Sequence, residues 1–203
     1  MKYPKQTAVN YQIARIISII INPFIIAPLC FGLILFSETG SNYKTWIYFI
    51  ISMITVVIIP LIYIYTMKKK GQTSSMDIPE RAKRIKPFLF NSGLFLIGLI
   101  VIILFGAPKP IVALMTVYTI NTLLAAVITK YWKISIHGMC AGGPIAVLGY
   151  LISSSYYLWI LALPLLVYSR VALKAHTVMQ VIAGFSLGFI LTIIQMKLIL
   201  EVL

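Results

Sequence analysis

An all-α polytopic membrane bundle of six to seven transmembrane spans is the fold class the sequence predicts, and three observations predict it. Hydrophobic residues fill 61% of the 203 positions and the mean hydropathy is +1.00, far outside the range of soluble domains. Apolar runs long enough to cross a hydrocarbon layer of roughly 30 Å as helices recur along the whole chain. Lys and Arg gather in the short loops between those runs.

Seven runs are candidate spans: Ile16 to Phe36, Trp46 to Met67, Phe88 to Gly106, Pro110 to Thr129, Gly138 to Ser153, Tyr156 to Val171, and Ala175 to Met196. The first follows a basic flank like that of a signal peptide, but it is long and no small-residue cleavage site follows, so it reads as a membrane helix. Only Ser153-Ser154-Ser155 divides the fifth from the sixth, which read as a bent pair of short helices with a re-entrant segment as the alternative. Nothing divides the chain, and residues 1–203 read as one integral membrane domain. Cys30 and Cys140 fall inside spans, where they serve as small apolar packing residues, and their number gives no disulfide framework or zinc spacing.

The charge inventory narrows the chemistry. The acidic residues are Glu38, Asp77, Glu80 and Glu201, too few for a magnesium-bridged diphosphate site made of two Asp-rich motifs, so neither a metal nor a cofactor is expected. The +13 net charge is explained by membrane orientation rather than by nucleic acid, because the basic residues lie in loops between spans.

Three polar clusters carry the candidate chemistry. The loop from Lys68 to Phe88 is expected to hold a short helix around Glu80 to Ile85, on which Arg81 and Arg84 share a face and offer two guanidinium forks to one anion, with Lys86 before Pro87 as a third cation. A solvated basic loop touching lipid headgroups is the plain alternative. In Lys133-Ile134-Ser135-Ile136-His137-Gly138, Ser135 and His137 converge if Ser135 caps a helix whose first turn holds His137; free backbone N–H groups and the helix dipole then meet a phosphate that His137 can serve as an acid. The third cluster, Tyr168 to Gln180, places Ser169, His176 and Gln180 on one stripe if helical, with Arg170 near the same end of a span. Ionisable groups at membrane depth favour function over packing.

In order and spacing these clusters resemble the signature of the type 2 phosphatidic acid phosphatase superfamily, Lys-x6-Arg-Pro, Pro-Ser-Gly-His and Ser-Arg-x5-His-x3-Asp. Ser169-Arg170 followed after five residues by His176 matches the third motif, with Gln180 in place of its Asp, as in glucose-6-phosphatases. Ser135-Ile136-His137 keeps Ser-x-His of the second; the first is the loosest, with Lys86-Pro87 where Arg-Pro stands and its leading cation supplied by Arg81 or Arg84.

The resemblance implies a haloperoxidase-like core and metal-independent phosphoryl transfer. His176 would be the nucleophile and His137 the acid to the leaving oxygen. Gln180 would orient His176, while Arg81, Arg84, Lys86, Ser135 and Arg170 hold phosphate oxygens. The implied partner is a lipid phosphate or prenyl (di)phosphate at the bilayer surface. A non-catalytic lipid-phosphate binder or transporter, a sugar-phosphate phosphatase and a phosphotransferase are the competing readings.

Parity tests whether the clusters can meet. With two spans between the first cluster and Ser135 and two more before Arg170, seven spans put all three on one membrane face. All 17 Lys and Arg except Lys44, Lys109 and Lys197 fall on that face or at its span ends, Lys2 and Lys5 among them, so the positive-inside rule orients it to the cytoplasm.

Overall fold

The computed structural model describes residues 5–202, with side chains from residue 9, so Lys2 lies outside the described residues and Lys5 is described by its backbone alone. The chain is an all-α polytopic bundle. Six of its helical runs are long and apolar enough to cross a membrane, and the shorter apolar helix α7 (Ile136–Leu151) joins them.

The expected first span lies in one apolar run, Val9–Thr39, which is longer than expected and broken inside. Helix α1 (Lys5–Ile20) ends at a break, and α2 (Pro23–Thr39) starts anew, because Asn22 adopts an extended backbone and its side chain accepts from the Phe24 N–H while Pro23 needs no donor partner at the first helical position. Helix α1 crosses the end of α8 (Leu163–Ala172) steeply. Its residues Asn10, Ala14 and Ser18, a stretch of about 12 Å at the helical rise, meet the consecutive residues Tyr168, Ser169 and Arg170.

The second span is one continuous helical run, α3 (Tyr43–Met53) and α4 (Ile59–Lys69) joined by a widened π turn at Ile54–Ile58. Pro60, just beyond, has no N–H to return to the preceding turn, which is a recognised cause of such widening. Within the polar loop the expected short helix is a 3-10 turn, Arg81–Arg84, leading into α5 (Ile85–Leu104). Helix α6 (Lys109–Tyr131) returns to the same end.

The sixth expected span is two pieces. A 3-10 helix, Ser154–Ala162, is capped by Ser153 and runs into α8, with Pro164 in the first turn of α8. The last span, α9 (Val178–Val202), begins three residues later than expected, because Lys174 takes a positive φ of 53° and the turn it makes carries His176 before helix resumes.

Two packing features position the polar end. Apolar side chains of α2, α5, α6, α7 and α9, among them Phe31, Ile34, Ile102, Leu114, Val147 and Met196, form the main core. Helices α7 and α9 approach with almost no side chain between them: a Cβ on Gly138 would lie 2.6 Å from the Val181 carbonyl oxygen, and one on Gly184 would meet the Ser135 carbonyl oxygen. That contact brings the start of α7 against the start of α9, and Ser135 N–H donates to Gln180 O at 3.3 Å.

Candidate active site

The two loops and two helix starts that carry the three clusters meet at one end of the bundle. Arg84, at the last position of the 3-10 turn, is buried; its Nε donates to Ile78 O at 2.6 Å, Nη2 to Asp77 O at 2.9 Å, and Nη1 to Ile134 O at 3.2 Å. The same Nη1 stands 3.4 Å from His176 Nε2.

His176 is fixed from its other side. Its backbone N–H donates to Arg170 O at 3.2 Å, and its Nδ1 lies 3.1 Å from Gln180 Oε1. The Thr177 backbone N–H donates to that same Oε1 at 3.2 Å, which identifies the atom as the amide oxygen and makes His176 Nδ1 the donor. Nε2 is therefore left with its lone pair facing Arg84. Burial, with the Arg84 charge second, pushes the imidazole down to about 3, so the ring is a neutral base across the physiological range.

Arg170, only 1% exposed, is held by Ser18 Oγ and by Asp77 Oδ2, each at 2.5 Å, while its Nε has no hydrogen-bond partner among the described residues. Asp77 is 39% exposed at its side chain. Burial pushes its carboxyl up, but the charge and hydrogen bond of Arg170 outweigh that and hold the group below the ordinary carboxylate range. The next residue, Ile78, is buried with φ of 46°, a conformation that costs a β-branched residue about 1–2 kcal/mol.

At the start of α7, Ser135 caps the helix as expected, accepting from Gly138 N–H at 3.2 Å, and is fully buried. His137 in the first turn is 6% exposed, and its Nε2 has no hydrogen-bond partner among the described residues. Lys133 donates to Ala175 O at 2.9 Å, and burial followed by the charges of Arg84 and Arg170 lowers its pKa.

The structure thus brings together Arg84, Ser135, His137, Arg170, His176 and Gln180. It leaves Arg81 and Lys86 apart from them. Arg81 donates to the carbonyls of Lys130 at 2.8 Å and Thr129 at 3.4 Å, the free carbonyl end of α6, and Lys86 is exposed. Successive residues on a helix turn by about 100°, so Lys86 faces almost opposite to Arg84.

Asp77, Ser18 and Lys133 are the site residues that sequence reasoning did not assign. Asp77 had a legible signal, as one of only two carboxylates in the basic loop. Ser18 had none, lying 152 residues from the arginine it holds.

Arg84, Asp77, Arg170, His137 and His176 form the polar end of a cavity of about 400 Å³ whose remaining wall is largely apolar. Ile25 of α2 and Leu61 of α4, both on its wall, keep substantial accessible surface. Among the described residues no three His, Cys, Asp or Glu side chains gather as a metal-binding group. No protein-family model, curated protein or solved structure matches the chain.

Proposed function

We propose that the chain is a membrane phosphatase that hydrolyses a lipid phosphate or prenyl (di)phosphate through a phosphohistidine on His176, without a metal ion. The observation that carries the proposal is the setting of His176, a neutral imidazole with Nδ1 engaged by Gln180 and its Nε2 lone pair turned toward a buried guanidinium at the polar end of a largely apolar cavity. Around it, Arg84, Arg170 and Lys133 outnumber the carboxylates of Asp77 and Glu80, a balance that favours an anionic group. The resemblance of the Ser-Arg-x5-His stretch to the type 2 phosphatidic acid phosphatase superfamily supports the same reading.

In this chemistry Nε2 of His176 attacks phosphorus in line with the leaving oxygen, the P–O bond to the lipid breaks, and the departing alkoxide takes a proton from His137. A water molecule then attacks the phosphohistidine, giving its proton to His137 as the P–N bond breaks, and inorganic phosphate leaves. Arg84 and Arg170 meet the charge on the equatorial oxygens, which needs fixed cations where no metal serves. To reach an oxygen, Arg84 Nη1 exchanges its contact with His176 for one with the phosphoryl group.

A lipid substrate suits a cavity with a polar end and a largely apolar wall. The excess of Lys and Arg at this end of the bundle favours the cytoplasmic leaflet. One observation favours a non-catalytic lipid-phosphate binder instead: backbone carbonyls already take up most of the Arg84 donors.

The deciding experiment measures phosphate release by purified protein with EDTA present, over phosphatidate, phosphatidylglycerol phosphate, prenyl mono- and diphosphates and glucose 6-phosphate. Release from a lipid phosphate that disappears in His176→Ala supports the enzyme. Binding without release in both proteins supports the binder.

A further inference from the structure

The membrane-embedded wall of the cavity carries three carboxamide side chains, Asn22, Asn91 and Asn121, amid apolar neighbours. Amides at this depth ordinarily serve as links between helices, and two of the three do have protein partners. Asn22 caps α2 through its oxygen. Asn121 donates to Thr192 Oγ1 at 3.2 Å and accepts from Gln195 Nε2 at 2.7 Å, which closes a link between α6 and α9.

Asn91 is different. Its Oδ1 is shielded from solvent and has no hydrogen-bond partner among the described residues, although the side chain lines the cavity. Leaving such a group unpaired costs about 1–3 kcal/mol, and because the residue lines the cavity, a rotation of its side chain turns the amide toward a partner there. Asn91 lies seven residues along from Arg84, about 10 Å deeper at the helical rise.

We infer that Asn91 forms a second, hydrogen-bonding site for the body of the ligand, so that the cavity selects lipid phosphates with an ester, amide or hydroxyl group below the phosphate over prenyl phosphates, whose chains offer only hydrocarbon. The inference rests on the proposed lipid-phosphate reading of the same cavity. A carboxamide can both donate and accept, so it serves any of the three groups, and a prenyl chain leaves it unpaired. Sites that hydrogen-bond a ligand group reject analogues lacking it far more strongly than apolar pockets reject a change of size.

The test is binding rather than turnover, so that it stands apart from the catalytic claim. In detergent, the unfolding midpoint of His176→Ala protein is measured against rising phosphatidate, ceramide 1-phosphate or sphingosine 1-phosphate, and farnesyl or longer prenyl phosphates. At least one polar-bodied lipid is expected to bind at least tenfold more tightly than every prenyl phosphate, and Asn91→Leu is expected to collapse that ratio to within about threefold. Equal or tighter prenyl binding, or a ratio unchanged in Asn91→Leu, overturns the inference, as does no binding by any of these lipids. Should Asn91→Leu fail to fold, Asn91→Ala and Asn91→Val, which also lack a hydrogen-bonding group, are expected to collapse the ratio in the same way, and an unchanged ratio in them overturns the inference. Turnover of nitrophenyl phosphate by the unsubstituted protein, measured separately, shows whether it is the phosphatase reading that fails.

Discussion

Arg84 and His176 are separated by 92 residues and meet at 3.4 Å, guanidinium Nη1 to imidazole Nε2. Burial first, and then a cation at that distance, which disfavours a second positive charge, keep the ring unprotonated and leave the nucleophilic lone pair available.

The acid behaviour of His176 follows from its burial and, second, from this contact. With its folded-state value pushed down to about 3, against about 6.5 for a free imidazole, the ring should stay neutral in nitrogen-resolved NMR from pH 8 down to pH 5. The sign for stability is set by the same inequality. The folded state binds fewer protons, so this group's contribution is fully present above about pH 6.5 and is lost as pH falls toward 3. Arg84→Gln should raise the titration midpoint; an unchanged midpoint would assign the effect to burial alone.

Gln180 holds Nδ1 of His176 through an oxygen that Thr177 N–H orients. Gln180→Leu removes that acceptor and should lower phosphate release about 10–100-fold, the range for losing a group that orients a reactive imidazole. Gln180→Asp should keep or raise the rate, since a carboxylate also steadies the cationic ring. A large loss in Gln180→Asp with the fold intact would mean that the site is built around the amide.

Asp77 sits on the arginine that the Ser-Arg motif supplies, where it repels an incoming phosphate while steadying Arg170. Asp77→Asn keeps an acceptor for the guanidinium and removes the charge. Inorganic phosphate, assayed as a competitive inhibitor, should bind about fivefold more tightly, a gain of roughly 1 kcal/mol. An unchanged inhibition constant would place the bound phosphate away from Asp77.

The close approach of α7 and α9 carries the Ser135 cap to the base of Gln180. Gly184→Val places a branched side chain against the Ser135 carbonyl and should cost about 1–3 kcal/mol, read as a lowered unfolding midpoint in detergent. Phosphate release should fall by more than the loss of folded protein explains, because His137 moves away from His176. Wild-type activity with a wild-type midpoint would contradict the packing.

Orientation can be read chemically. Gly71 has φ of 69° and would strain any side chain, so Ser74, exposed in the same loop, is the better position. Ser74→Cys in a Cys30→Ser, Cys140→Ser background should resist an impermeant maleimide in intact cells and react after lysis. Labelling before lysis would put the site on the outer face.

What the sequence made legible was what local spacing encodes: apolar run lengths yielded the spans, and their parity put three polar clusters at one end. The stripe of Ser169, His176 and Gln180 required continuous helix, which the turn at Lys174 breaks; His176 and Gln180 meet instead because Thr177 and Gln180 cap the start of α9 reciprocally. The details that depend on where the chain bends were less accessible. The break at Asn22-Pro23 lets α1 lie across α8 and deliver Ser18 to Arg170, and the positive φ of Ile78 turns Asp77 toward the same arginine. The choice among Arg81, Arg84 and Lys86 depended on helix phase over six residues, where a 3-10 turn passing into an α-helix sends each in a different direction. No spacing rule resolves that transition in advance.

The central claim is that His176 carries the phosphoryl group. The direct measurement is mass spectrometry of the peptide containing His176 after alkaline quench of the purified protein during turnover of a phosphate monoester in EDTA. One acid-labile phosphoryl group on His176, absent from His176→Ala protein that also releases no phosphate, is the predicted result. Continued phosphate release by folded His176→Ala, or a phosphoryl group found on another residue, would contradict the account.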